Sequence, residues 1–226
     1  MSAWGRGVLA VARKDLVQEF RTFQRLATMG AFTVLVGVLF SFSFDPAAIR
    51  AQDVAGGLIW MTLVFAGVMG VGRTFALEAE DAAFQGVLLS PVPRDAIYLG
   101  KVIANVVIVS ITVLLIVLAF GLFFQLDYGA HPIALALTLF SGVVGFVALA
   151  TLFGAVSAGT RLGESLLPVL LFPLVVPMVV YGAGATHRLL LGRPLVEVEG
   201  NIRILGAFAI GAVAVGAVLF RHVVED

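Results

Sequence analysis

Six stretches of this chain contain no Asp, Glu, Lys or Arg: residues 26–43, 54–72, 102–124, 132–158, 166–185 and 204–220. A helix needs about 20 residues at about 1.5 Å each to cross about 30 Å of hydrocarbon, so each stretch reads as a transmembrane span. The last is the shortest, and Arg203 and Arg221 stand at its two ends, where long basic side chains reach the interface. No segment alternates with period two, which argues against a β-barrel. Hydrophobic residues make up 61% of the chain and charged residues 12%. A soluble domain holds about 45–50% and about 25% respectively. The expected fold is therefore an all-α polytopic membrane protein. With no linker or charged run to divide it, residues 1–226 read as one transmembrane domain.

The charges that remain set the orientation. Arg6, Arg13, Lys14, Arg21, Arg25, Arg73, Arg94, Lys101, Arg161 and Arg221 fall on the N-terminal side of the membrane. Only Arg50, Arg188, Arg193 and Arg203 fall on the other. Basic residues accumulate in cytoplasmic loops, so both termini are expected in the cytoplasm. The 14 basic and 14 acidic residues balance, and no nucleic-acid partner is expected. The first span is expected to be retained, because the basic residues before it are dispersed and no cleavage site follows it.

Residues 1–25 precede that span. Leu9, Ala12, Leu16 and Phe20 recur at helical spacing, and Lys14, Gln18, Arg21 and Arg25 recur on another face. An apolar face beside a basic one predicts an interfacial helix in the headgroup plane. On the far side the loops are short; the longest, residues 186–203, has no room for a folded domain.

Charge-free spans also restrict the chemistry. Ion and proton paths usually carry ionisable groups near the bilayer centre. No Asp pair, His-Glu-x-x-His or Gly-x-Ser-x-Gly is present to make an intramembrane hydrolase. Gly100-Lys101 lacks the upstream glycine of a phosphate-binding loop. The chain is therefore not expected to be an enzyme, and any ATP that drives it is bound by a separate polypeptide. The absence of cysteine removes thiolate metal sites and disulfides. His131, His187 and His222 lie near loops on two sides of the membrane and read as interfacial histidines rather than paired haem ligands.

Two segments stand out. Between the second and third spans, Glu78, Glu80 and Asp81 share a helical run with Phe75, Leu77 and Phe84. Gly86 follows as a helix stop, and Ser90-Pro91-Val92-Pro93 forms a stiff turn. A short acidic and aromatic helix braced by such a turn suits docking into a partner's groove. The same composition fits a solvated loop. In the fifth span, Pro168, Pro173 and Pro177 each remove a helical hydrogen bond, which predicts either a static kink or a bent gate helix. Gly67, Gly70 and Gly72 in the second span and Gly206, Gly211 and Gly216 in the last read as general helix packing.

Phe75-(x5)-Asp81-(x2)-Phe84-Gln85-Gly86 followed by Leu89-Ser90-Pro91-x-Pro93, then Tyr98-Leu99-Gly100-Lys101, resembles the CcmB family. The fifth-span run Leu166-x-Pro168-(x4)-Pro173-(x3)-Pro177 and the early Lys14-Asp15-Leu16 are similar to that family as well. The family comprises permease subunits of the ABC-type complex for cytochrome c maturation. Gln85 departs from the acidic residue the pattern leads one to expect. The resemblance implies an ABC-2 type permease in the bacterial inner membrane, paired as a homodimer on cytoplasmic ABC ATPase subunits that bind the ATP. Phe75, Glu78, Asp81, Phe84, Gly86, Ser90, Pro91 and Pro93 would then form the coupling helix that docks the ATPase. A haem-handling membrane subunit, a small accessory subunit and a periplasmic haem chaperone would complete the assembly. Haem would be cargo rather than a bound cofactor, with ATP hydrolysis driving either haem export or release of the loaded chaperone. Two other expectations remain, an ABC-2 type exporter of another amphiphile and a scaffold subunit that transports nothing.

Overall fold

A computed structural model describes residues 2–45, 49–80, 92–158 and 163–223, with the side chains of 75–80, 158, 163–166 and 223 outside the description. The described residues form seven helices and no strand: α1 (Ala3–Thr22), α2 (Gln24–Ser43), α3 (Ala51–Glu80), α4 (Arg94–Phe124), α5 (Pro132–Ala158), α6 (Gly163–Leu190) and α7 (Val196–Val223). Six of them, α2 to α7, are long and apolar enough to cross a membrane.

Several helices outrun the apolar stretches that reveal them. The third span is expected from residue 102, yet α4 starts at Arg94 with Asp95 in its first turn. The expected loop 186–203 is mostly helix. α6 continues to Leu190, and α7 begins at Val196 with Glu197 and Glu199 against its positive N-terminal end. Between them Gly192 adopts φ +65°, with Gly192 N–H bonded to the Leu189 carbonyl and Arg193 N–H to that of Arg188. That is a Schellman turn, and it requires a residue without a Cβ penalty in the left-handed region. The charges that end an apolar run here occupy helix termini rather than loops.

α3 and α5 form the centre of the bundle. They are 67% and 61% buried over their spans, against 22–33% for the other four. α2, α4 and α6 pack on α3; α4, α6 and α7 pack on α5. Lipid chains are as apolar as Leu, so helix association must come from close fit and hydrogen bonds rather than from loss of water contact. Trp60 on α3 shows how the fit is made. Its indole is fully buried against Gly142 of α5 and Gly182 of α6, neither of which has room for a Cβ. The indole N–H donates to Thr186 Oγ1 at 2.9 Å. On the opposite half of the bundle Gly216 of α7 receives the Tyr98 ring, whose hydroxyl donates to the Ala148 carbonyl at 3.0 Å. Gly206 and Gly211, by contrast, face open space, so the last span's glycines do not act as one set. In the α4–α5 connection the Tyr128 hydroxyl donates to the Val117 carbonyl at 2.9 Å, and burial pushes the phenol up to about 12.

The three prolines lie inside α6. Leu167, Leu171, Val175 and Met178 form the buried face of this helix, while Pro173 and Pro177 lie on its exposed face with Val169, Val176 and Val180.

Gly182→Ala should drive a methyl into the Trp60 ring and destabilise detergent-solubilised protein by about 1–3 kcal/mol. Gly211→Ala, in open space, should not destabilise it. Tryptophan fluorescence followed through thermal unfolding checks both.

Candidate functional site

The strongest concentration of polar side chains lies where α1 meets the first turns of α2 and α4. Ser2 caps α1, its hydroxyl accepting from Gly5 N–H at 3.2 Å. α1 then runs along α4 in the same direction. The Trp4 indole N–H donates to Asp95 Oδ2 at 2.9 Å, Val11 sits over Gly100, and the Lys101 ammonium lies 3.5 Å from Asp15 Oδ2. Gly100 is needed for this approach, because a Cβ there would stand 2.8 Å from the Val8 carbonyl.

The face of α1 that packs on the bundle is not its apolar stripe. Val8, Val11, Ala12, Asp15 and Glu19 are buried, whereas Leu9 and Phe20 are exposed beside Val17 and Phe23. α1 thus carries an outward apolar stripe and, more than about a third of a turn away, an inward stripe that includes two carboxylates. Arg25 does not extend the basic face. α1 ends at Thr22, and Arg25 belongs to the first turn of α2, where it is buried. Lys101, expected near the membrane surface, is completely buried within α4.

Phe23 makes the corner between α1 and α2 with φ 53° and ψ 16°, a conformation that costs a bulky residue about 1–2 kcal/mol. Glu19 compensates in three ways. Its backbone carbonyl accepts from Phe23 N–H at 2.6 Å. Its Oε1 accepts from Leu26 N–H at 2.9 Å, placing an anion on the open N-terminus of α2. Its Oε2 accepts from Arg25 Nε at 2.8 Å. The opposite edge of the guanidinium crosses to other helices. Nη1 donates to Thr74 Oγ1 on α3 and, at 2.9 Å, to Asn105 Oδ1 on α4. The Asn105 amide donates to Thr151 Oγ1 on α5 at 3.3 Å. One connected network thus joins α1, α2, α3, α4 and α5. Beside it, Asp15 pairs with Lys14 at 3.2 Å and with Lys101 at 3.5 Å. An open cleft of about 210 Å³ borders it, lined by Asp15, Gln18, Glu19, Thr22, Gln24, Arg25 and Thr74.

The predicted docking segment adjoins this network directly at one end and reaches it only through α4 at the other. Phe75 and Glu78 lie in the last turns of α3, directly after Thr74. Pro93 is the N-cap of α4, its carbonyl accepting from Ile97 N–H at 3.1 Å. Asp81, Phe84, Gly86, Ser90 and Pro91 lie outside the described residues. Pro168, Pro173 and Pro177 are not part of the network. Nor are the histidines, of which His187 Nδ1 lies 3.1 Å from the Gln52 carbonyl at the far end of the bundle and His222 Nδ1 lies 3.2 Å from the Val218 carbonyl.

Periodicity overlooked Glu19, Asn105 and the inward roles of Asp15, Arg25 and Lys101. The signal was nevertheless present as two i,i+4 pairs: Asp15 with Glu19 on one helix, and Lys101 with Asn105 on the other.

Comparison with known proteins covers the same ground. The family described as CcmB protein matches residues 6–225. The chain is 27% identical over 179 residues to the protein named Heme exporter protein B of Rhodobacter capsulatus, covering 79% of this chain and 82% of that one. It is 29% identical over 175 residues to that of Pseudomonas aeruginosa, covering 77% and 78%. With that of Escherichia coli K12 the identity is 26% over 202 residues, covering 89% and 90%.

Removing one partner of a buried ion pair leaves a charge without compensation, at a cost of about 3–5 kcal/mol. Glu19→Leu should therefore destabilise the protein strongly, and Glu19→Leu combined with Arg25→Leu less than Glu19→Leu alone. Unfolding of all three proteins in the same detergent checks this; a double variant weaker than the single would refute the pairing.

Proposed function

The chain belongs to the CcmB family, and from that premise we propose that it is the permease subunit of an ABC-type exporter serving cytochrome c maturation. The observation that carries the reading is the family match over residues 6–225, together with relatives named Heme exporter protein B that align over most of both chains. In this reading both termini face the cytoplasm of the bacterial inner membrane. ATP is bound and hydrolysed by a separate cytoplasmic subunit that docks on residues 75–93. Two copies of the permease work with a haem-handling membrane subunit, a small accessory subunit and a periplasmic haem chaperone. The output is export of haem or release of the haem-loaded chaperone.

Two physical features support the coupling role of residues 75–93. The helices on either side, α3 and α4, are tied to each other through Thr74, Arg25 and Asn105, so a load applied to the segment meets a braced pair of helices. The basic excess on that side of the membrane also supports its facing the cytoplasm, where an ATPase would bind.

Deletion of the gene should abolish covalent haem in the membrane c-type cytochromes of the host, and restoration should bring it back. Haem staining reads the result, and unchanged bands would remove the haem assignment. Asp81→Ala and Phe84→Ala should leave the permease inserted but lower the co-purified ATPase by at least about fivefold, as truncation of a docking anchor does. Wild-type amounts of ATPase with both variants would refute docking at this segment.

A further inference from the structure

Exposed arginines are compensated differently at the two ends of the bundle. At the end away from α1, Arg50 pairs with Asp53 and Arg203 with Glu199, each partner three or four residues away. On α1, Arg6, Arg13 and Arg21 are exposed, and none of them pairs with a carboxylate among the described residues. The helix has two carboxylates of its own, Asp15 and Glu19, and both are turned into the bundle. There Lys14 and Lys101 hold the first, and Arg25 holds the second. The outward face of α1 is thus left with three arginines and no acid.

That face is apolar where it is not cationic. At about 100° per residue, Leu9 and Phe20 lie along one line of the helix, Arg6 and Arg13 along the next, then Val17, then Arg21. Leu9, Val17 and Phe20 are all exposed. The stripe ends at the corner with α2, where the exposed rings of Phe20 and Phe23 meet edge to face with their centroids 6.2 Å apart. The next residue, Gln24, begins the first helix long and apolar enough to span. The aromatic pair therefore stands where the chain enters the bilayer. A further exposed cation reaches the same corner, since Arg73 of α3 donates to the Gln24 side chain at 3.4 Å. An acidic protein surface would answer the arginines but not exposed rings at the point of entry into lipid. A phosphate headgroup above acyl chains answers both.

We propose that the outward face of α1 binds anionic phospholipids, with the headgroups on Arg6, Arg13 and Arg21 and the acyl chains against Phe20 and Phe23. Selectivity comes from the inward turn of Asp15 and Glu19, which leaves the outer face without the carboxylates that neutralise arginines at the far end. The site is independent of haem and of the ATPase, so it stands or falls apart from the permease reading.

The full-length protein, purified in detergent with a mixture of phosphatidylcholine and phosphatidylglycerol, tests it, the retained lipids being counted by mass spectrometry. The wild-type protein should retain phosphatidylglycerol in excess of its share of the mixture. The excess should shrink as sodium chloride is raised, because exposed charges are screened. Each arginine replaced by glutamine should lower phosphatidylglycerol affinity by up to about fivefold, the effect of one basic residue near an anionic membrane surface. Arg6→Gln, Arg13→Gln and Arg21→Gln together should bring the retained ratio to that supplied, whereas the three lysine replacements should preserve the excess. Arg203→Gln, at the other end of the bundle, should not change it. Retention in the supplied ratio by the wild type, or equal excess in the wild type and the triple glutamine variant, overturns the proposal. Should the triple variant fail to accumulate, Arg13→Gln alone is measured, and an unchanged excess overturns the proposal equally. Loss of co-purified ATPase from the glutamine variant with its phosphatidylglycerol excess intact would make this face a protein-docking surface instead.

Discussion

The corner between α1 and α2 consists of one residue, Phe23, in a left-handed conformation that its side chain disfavours. It is held by Glu19, whose two carboxylate oxygens accept from the first turn of α2 and from Arg25. Without that carboxylate, the N-terminus of α2 would lose its cap and a buried guanidinium would lose its counter-charge. The packing of α1 on α4 depends on the same residue, because it sets the angle at which the chain leaves α1. Arg25 then depends on the helices around it: Thr74 and Asn105 accept from a guanidinium that is almost wholly buried. Each buried charge at this end of the bundle is tolerable only because the others are in place.

The six spans were legible in the sequence because exclusion of charge is a property of composition, and a bilayer enforces it along the whole span. The helix ends were not. Arg94, Asp95 and Lys101 interrupt hydropathy without interrupting the helix, since α4 begins at Arg94. The same holds for Glu197, Glu199 and Arg203 at the start of α7. The face of α1 that meets the bundle was not legible either, because hydrophobic periodicity marks the apolar stripe of Leu9 and Phe20 and is blind to carboxylates that pack inward, as Asp15 and Glu19 do. Only the matching i,i+4 pairs on α1 and α4 could have indicated that these charges answer each other. The docking residues Asp81 to Pro91 were proposed from composition and resemblance, and the described fold bears on them only through the helices at their two ends.

The prolines of α6 illustrate a different limit. Pro173 and Pro177 cannot donate to the carbonyls four residues before them, and a soluble helix with that fault would fray or kink. Their position on the exposed face keeps the rings clear of the buried face formed by Leu167, Leu171, Val175 and Met178. Sequence spacing revealed the prolines but not which neighbour they meet. On the same helix the packing face is secured farther along, where Gly182 receives Trp60 and Thr186 satisfies its indole N–H.

The bundle is thus held by two kinds of contact distributed unequally along its length. In the half away from α1, Trp60 fills a slot between glycines, an arrangement with one low-energy fit and no alternative that avoids a void. In the half next to α1, Arg25 and Asn105 join helices by hydrogen bonds, beside the Tyr98 ring seated on Gly216. Both kinds of contact follow from the membrane itself: where burial of apolar surface contributes little, helices must be held by close fit and by hydrogen bonds.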